Sequence, residues 1–151
     1  MAADDLETVD RQICRLLAAD GRMSFTDLGR QTGLSTSAVH QRVKRLAQRG
    51  VIRGYGAILD FEEVGLPLTA FISIRPIDPS QPDDSPERLR GINEIESCWS
   101  VAGEESYILK ARVATPLALE ALLARVRAAA NVSTRPTMVL STPYEGRPLA
   151  P

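Results

Sequence analysis

With 151 residues and 44% apolar side chains, the chain can bury one ordinary hydrophobic core or two small ones. It is near-neutral, with 18 basic and 19 acidic residues for a net charge of −1, and one histidine leaves little material for a histidine zinc site or a Ser-His-Asp triad. No signal peptide and no apolar run of about 18 residues is present, so a cytoplasmic protein without a membrane partner is expected.

Aromatic residues make up only 5% of the chain, so packing must rest on Leu, Ile, Val and Ala. Cys14 and Cys98 are the only cysteines, and neither has a neighbour at metal-ligand spacing. They read as buried free thiols of a reducing compartment, with a bridge between them as the alternative. No metal site is expected.

In chain order, Leu6, Val9, Ile13, Leu16 and Leu17 fall on one face of a helix over residues 6–19, which Asp20-Gly21 ends. The charged residues of this helix read as mostly solvated and are assigned no function. Ser24 followed by Asp27 has capping-box spacing and starts a short helix. Gly33 supplies the positive φ that ends it, and Leu34 re-enters the core. Ser35 caps a longer helix carrying Val39, Val43 and Leu46, which stops at Gly50. Short helix, glycine turn and longer helix make a helix-turn-helix signature.

Charge supports that reading. Residues 28–59 contain no acid and six basic residues, Arg30, Arg42, Lys44, Arg45, Arg49 and Arg53; the remainder, with 12 basic and 19 acidic residues, nets −7. A basic unit within an acidic chain suits a phosphate backbone, whose neutralisation supplies most sequence-independent affinity for nucleic acid.

After Gly50, VIRGYGAILD is rich in β-branched residues and reads as a strand or short β-wing, from which Arg53 can reach a phosphate. DFEEVGLP then reads as a hinge, giving domains over residues 1–60 and 61–151. The second half alternates strand and helix. Strands are expected over 68–75, 96–101, 107–113 and 132–142. A helix capped by Ser85 with Pro86 at its first position should run to Ile92 or Ile95, and a second helix follows Thr115-Pro116. The order βαββαβ is the ferredoxin-like plan, a four-stranded antiparallel sheet with two helices on one face, which makes the chain α+β. Pro136 must then sit on an edge strand or at a bulge. Phe71, Trp99 and Ile108 would line the uncovered face, so self-association into a dimer is expected.

The order of VDRQI, LGRQTGLSTSAVHQRVKRLAQRGVIRGY and VAGEESYILKARV resembles the Lrp/AsnC, or feast/famine, regulators over about residues 6–141. The resemblance implies a dimer whose recognition helices enter successive major grooves of double-stranded DNA, often built further into an octamer of four dimers. Here that helix would be residues 36–49, with Ser35, Thr36, Ser37, His40 and Gln41 as base-edge candidates. Gln is able to pair bidentately with adenine. Arg42, Lys44, Arg45 and Arg49 suit phosphates, with pairing of Arg42 or Arg45 to Asp27 or an acid of the first helix as the alternative.

The resemblance also implies an amino-acid effector bound at the βαββαβ domain between neighbouring dimers, and no cofactor. Gly103, Glu104, Glu105, Ser106 and Tyr107 match the family's effector loop in position. Glycine there allows close backbone approach, amides can hold a carboxylate, and Glu104 or Glu105 can pair with an α-ammonium. Thr137, Met138 and Val139 match its second wall. The family loop often reads glycine, acid, any residue, Asp, aromatic; Ser106 replaces that Asp and removes one ammonium partner.

A DNA-binding transcriptional regulator responsive to an amino acid is therefore the leading reading. A ligand-blind architectural DNA-binding protein is the alternative. An enzyme, as in haem-precursor decarboxylation on this architecture, would want His or Arg in the second domain's cavity, yet the one histidine lies in the DNA-reading helix.

Overall fold

In the computed structural model, which describes residues 6–149, the chain divides into two units. One reaches to Ile58 and takes in the segment from Tyr144; the other spans Leu59–Pro143. Residues 1–5 and 150–151, the outer ends of the two expected domains, lie outside the described residues.

The helices of the first unit start and stop where local chemistry dictates. α1 covers Thr8–Ala19, α2 Phe25–Thr32 and α3 Thr36–Gln48. The Asp27 N–H donates to Ser24 Oγ (3.0 Å) at the start of α2, and the Ala38 N–H donates to Ser35 Oγ (3.2 Å) at the start of α3. Such side chains satisfy helix donors that would otherwise have no partner. Gly33 at φ 72° ends α2, and the Leu34 N–H reaches back to the Gly29 carbonyl at 3.0 Å. Ile13, Leu17, Leu28, Val39, Val43 and Leu46 then meet in one core. Each fully buried aliphatic side chain contributes roughly 1.5–3 kcal/mol.

The strand or wing expected after Gly50 does not form. Residues 53–60 form neither strand nor turn, and Tyr55, Ile58 and Leu59 are exposed. β-Branched residues favour extended backbone, but a strand without a partner leaves its ladder groups unmet.

The second unit follows the βαββαβ order: β1 Leu68–Pro76, α4 Ser85–Leu89, β2 Ile95–Ser100, β3 Tyr107–Val113, α5 Pro116–Ala130 and β4 Val132–Met138. The sheet order is β2-β3-β1-β4, with every neighbouring pair antiparallel. Pro136 lies on the edge strand β4, where its missing N–H is tolerated. Two boundaries differ from expectation. α4 has only five residues, and Ser85 is a buried first-turn residue rather than its cap. Asp84 precedes it and pairs instead with Arg88 Nε at 2.8 Å. β4 stops at Met138, short of residue 142.

Alternation sorts the strand residues onto two faces. Ala70, Ile72, Ile74, Leu109 and Ala111 are buried in one cluster with Leu119, Leu122 and Val126 of α5. Phe71, Trp99 and Ile108 share the other face by register, with Phe71 37% and Trp99 46% exposed. That face is apolar only in part. Arg112 donates from Nε to Glu96 (2.7 Å) and from Nη1 to Thr69 Oγ1 (2.9 Å), and its guanidinium lies 3.7 Å from the Phe61 ring centroid. Both cysteines are free; Cys14 is half-buried and Cys98, against expectation, is exposed.

Candidate nucleic-acid interface and effector pocket

α3 has an apolar side formed by Val39, Val43 and Leu46, which is buried against α1 and α2. The i, i+4 geometry of a helix then gathers Thr36, Ser37, His40, Gln41, Lys44 and Arg45 on an exposed stripe. Arg49 and Arg53 are also exposed beyond it. His40 keeps a tilted ring contact with Phe25, at 5.3 Å between centroids. Ser35 Oγ is engaged in capping and lies 3.3 Å from Ser37 Oγ, so its first role is to begin the helix. Arg30 pairs with Asp27 at 3.2 Å.

Arg42 departs from the expected set of phosphate contacts. It sits at the margin of the buried side, and its Nη1 contacts both Glu7 Oε2 and Asp10 Oδ1 at 2.9 Å. The hydrogen bonds it donates to Asp10, then to Glu7, push its pKa further up. Asp10 is only 5% exposed, which corrects the view of α1 as carrying solvated charges without a role. A carboxylate so buried needs a partner, and Arg42 meets that need. The pairing alternative for Arg42 is the one the molecule adopts.

In the second unit, the Gly103–Ser106 turn is fastened to β1 through the Ser106 N–H and the Ile74 carbonyl at 3.0 Å. Glu104 and Glu105 line a cavity of about 180 Å³ with Ser73, Ile74 and Arg75 of β1 and Ser133, Thr134 and Arg135 of β4. The Arg135 guanidinium is paired with the Glu105 carboxylate. A space bounded by carboxylates and guanidiniums suits a small zwitterion.

Of the other expected effector residues, Gly103 opens the turn itself and Tyr107 and residues 137–139 lie outside this cavity's lining. A Cβ on Gly103 would stand 3.8 Å from Glu105 Oε2, in ordinary contact. Tyr107 faces the helical side and lines a separate cavity with Leu89 and Cys98. There, burial and the nearby Asp83 carboxylate push its phenol pKa up. Thr137 lies two residues along β4 from Arg135 and opposite Phe71; Met138 lies opposite Ala70, and the Val139 N–H bonds the Thr69 carbonyl at 2.9 Å. The β4 side of this cavity is formed by Ser133, Thr134 and Arg135 rather than by the expected residues 137–139. Sequence reading missed Arg135 and Ser73, which only the β1–β4 register brings together.

Comparison with known proteins decides the family. Residues 6–47 match the AsnC-type helix-turn-helix domain and residues 69–149 match the Lrp/AsnC ligand binding domain. The chain belongs to the Lrp/AsnC family. Among its Lrp/AsnC relatives, it is 56% identical over 142 residues to the HTH-type transcriptional regulator LrpA of Mycobacterium tuberculosis, covering 94% of this chain and 95% of that one. It is 37% identical over 112 residues to the leucine-responsive regulatory protein of Haemophilus influenzae, covering 72% and 67%. A feast or famine regulatory protein of M. tuberculosis, solved in complex with L-methionine, superposes with a TM-score of 0.95 at 55% identity over 97% of this chain and 99% of that chain. The chain is therefore a DNA-binding transcriptional regulator with a ligand-binding domain, in a family of regulators rather than enzymes. A ligand-binding second domain does not favour the ligand-blind alternative. Among the described residues no helix is long and apolar enough to cross a membrane, and no group of three or more potential ligands is gathered for a metal.

Proposed function

We propose that this Lrp/AsnC regulator works in the cytoplasm and reads operator DNA through the exposed stripe of α3. Its second unit senses a free amino acid at the Gly103–Ser106 turn. Thr36, Ser37, His40 and Gln41 face base edges, while Lys44, Arg45, Arg49 and Arg53 hold phosphates. The observation that carries this division is the diversion of Arg42 to Asp10, which leaves the stripe polar at its start and basic further on.

The effector reading rests on the charged cavity beside Glu104 and Glu105, and is supported by relatives solved with L-methionine from M. tuberculosis and from Neisseria meningitidis, the latter at 27% identity and a TM-score of 0.85, covering 95% of this chain and 96% of that one. Thr137, on the same face of β4 as Arg135, would extend its wall along that strand. Two copies joined through the face carrying Phe71, Trp99 and Ile108 would present two α3 helices to successive grooves, and four such dimers would make an octamer.

Titration with each of the twenty amino acids, following melting temperature and Trp99 fluorescence together, tests the effector reading. A ligand that binds only the folded protein adds about 2.7 kcal/mol at a hundredfold its dissociation constant. One or a few selective hits are expected, with L-methionine among the first to try. No response to any of the twenty would remove the amino-acid reading and return the ligand-blind alternative.

A further inference from the structure

The ion pair between Arg135 and Glu105 stands where an amino acid would have to bind. Arg135 projects from the edge strand β4 opposite Ser73, and its guanidinium meets the Glu105 carboxylate from the turn. The guanidinium side chain is 69% exposed while that of Glu105 is 22% exposed, so the acid is the more sheltered half. With its guanidinium largely open to water, the pair is held less firmly than a buried one, because water and the entropy of the long Arg135 side chain offset the attraction. The cavity, about 180 Å³, is smaller than the roughly 300–1,000 Å³ usual for whole drug-sized ligands and fits the charged end of an amino acid.

We propose that the effector enters by splitting this pair. Its α-ammonium replaces the guanidinium on Glu105, and the released Arg135 swings onto the α-carboxylate, which it is able to grip bidentately. One internal ion pair is exchanged for two, and no charge is left unmatched. Arg135 is thus both the internal competitor that closes the empty site and the group that selects a carboxylate. The site takes zwitterions and discriminates against amines and amides of the same side chain. With Ser106 where the family loop carries a second acid, Glu104 and Glu105 are the acids beside the cavity, and the pairing with Arg135 marks Glu105 as the one that receives the ammonium. This inference rests on the amino-acid reading above.

The test compares the amino acid that binds tightest in the twenty-member titration with its α-carboxamide, by calorimetry on the full chain. The wild type should bind the amide about tenfold or more weaker, as a lost charge-assisted hydrogen bond implies. In Arg135→Gln the acid weakens, the amide binds as well as before or better because Glu105 is no longer occupied, and their ratio falls to about one. Arg135→Lys, which keeps the charge without the fork, should fall between. Arg75→Gln removes the other guanidinium lining the cavity and should keep the wild-type ratio. An exposed edge-strand position makes the Arg135 variants safe for folding, which the melting temperature checks. An unchanged ratio in Arg135→Gln, or its collapse in Arg75→Gln instead, overturns the proposal while the effector reading stands. A wild type that binds none of the twenty amino acids overturns the effector reading, and the proposal with it.

Discussion

Arg42 and Lys44 are two residues apart on one helix and serve different ends. Arg42 holds the buried carboxylate of Asp10, and Lys44 faces solvent. Arg42→Ala should cost about 3 kcal/mol in urea unfolding, because it leaves a buried charge without its partner. It should barely alter the dependence of DNA affinity on salt. Lys44→Ala should do the reverse, leaving stability within about 0.5 kcal/mol and lowering the salt slope by about 1. Equal salt slopes for the two variants would return Arg42 to the phosphate set. Gln41→Ala should relax preference for the operator over scrambled DNA by roughly 1–3 kcal/mol, and undiminished discrimination would remove Gln41 from base readout. At this scale, legibility followed distance along the chain. Ser24, Gly33 and Ser35 act on backbone within a turn, so spacing alone revealed their roles. Arg42 meets an acid 32 residues away and Arg135 one 30 residues away, and in both cases tertiary packing chose among several possible partners.

The turn between α2 and α3 depends on a glycine that local propensity does not flag. A Cβ on Gly29 would lie 2.5 Å from the Leu34 carbonyl oxygen, and backbone rather than a flexible side chain would have to yield. Gly29→Ala would gain about 1 kcal/mol of helix propensity in an open helix. Here it should instead lower the melting temperature and weaken DNA binding, since the Leu34 and Ser35 backbone that leads into α3 packs directly on that position. A stabilised variant would show that the turn gives way easily. In the second unit, Arg125 of α5 holds Glu94, next to β2, below its ordinary carboxyl pKa of 4.5. The folded state therefore binds that proton less readily than the unfolded chain. The contribution is complete above about pH 4.5 and is lost as pH falls through the lowered value. Glu94→Gln should flatten the acid limb of a melting-temperature profile and leave its slope near neutrality unchanged. Two stretches misled sequence reading: residues 51–60, β-branched at Val51, Ile52 and Ile58, form no strand, and α4 ends after five residues although apolar residues continue to Ile95.

Across the whole molecule, charge and apolar surface are distributed unevenly. Residues 28–59 hold six basic side chains and no acid, while the rest of the chain nets −7. Such segregation draws the basic part towards DNA at low salt without making the protein a general polycation. The exposed Phe71 and Trp99 share the uncovered sheet face with charged Lys110 and Arg112, a mixed surface that suits a specific self-association better than indiscriminate sticking. Phe71→Asp should shift sedimentation towards the monomer while keeping the far-ultraviolet spectrum, and an unaltered assembly would place the interface elsewhere. α3 is capped by Ser35 and braced to α1 through Arg42 and Asp10, so in the readout proposed above it would meet the operator already shaped. No folding step then delays the encounter, and association should run at the steered, salt-sensitive rate of a preformed surface. Operators would then be ranked by how long the protein stays on each, since the time taken to arrive would be nearly the same for all of them.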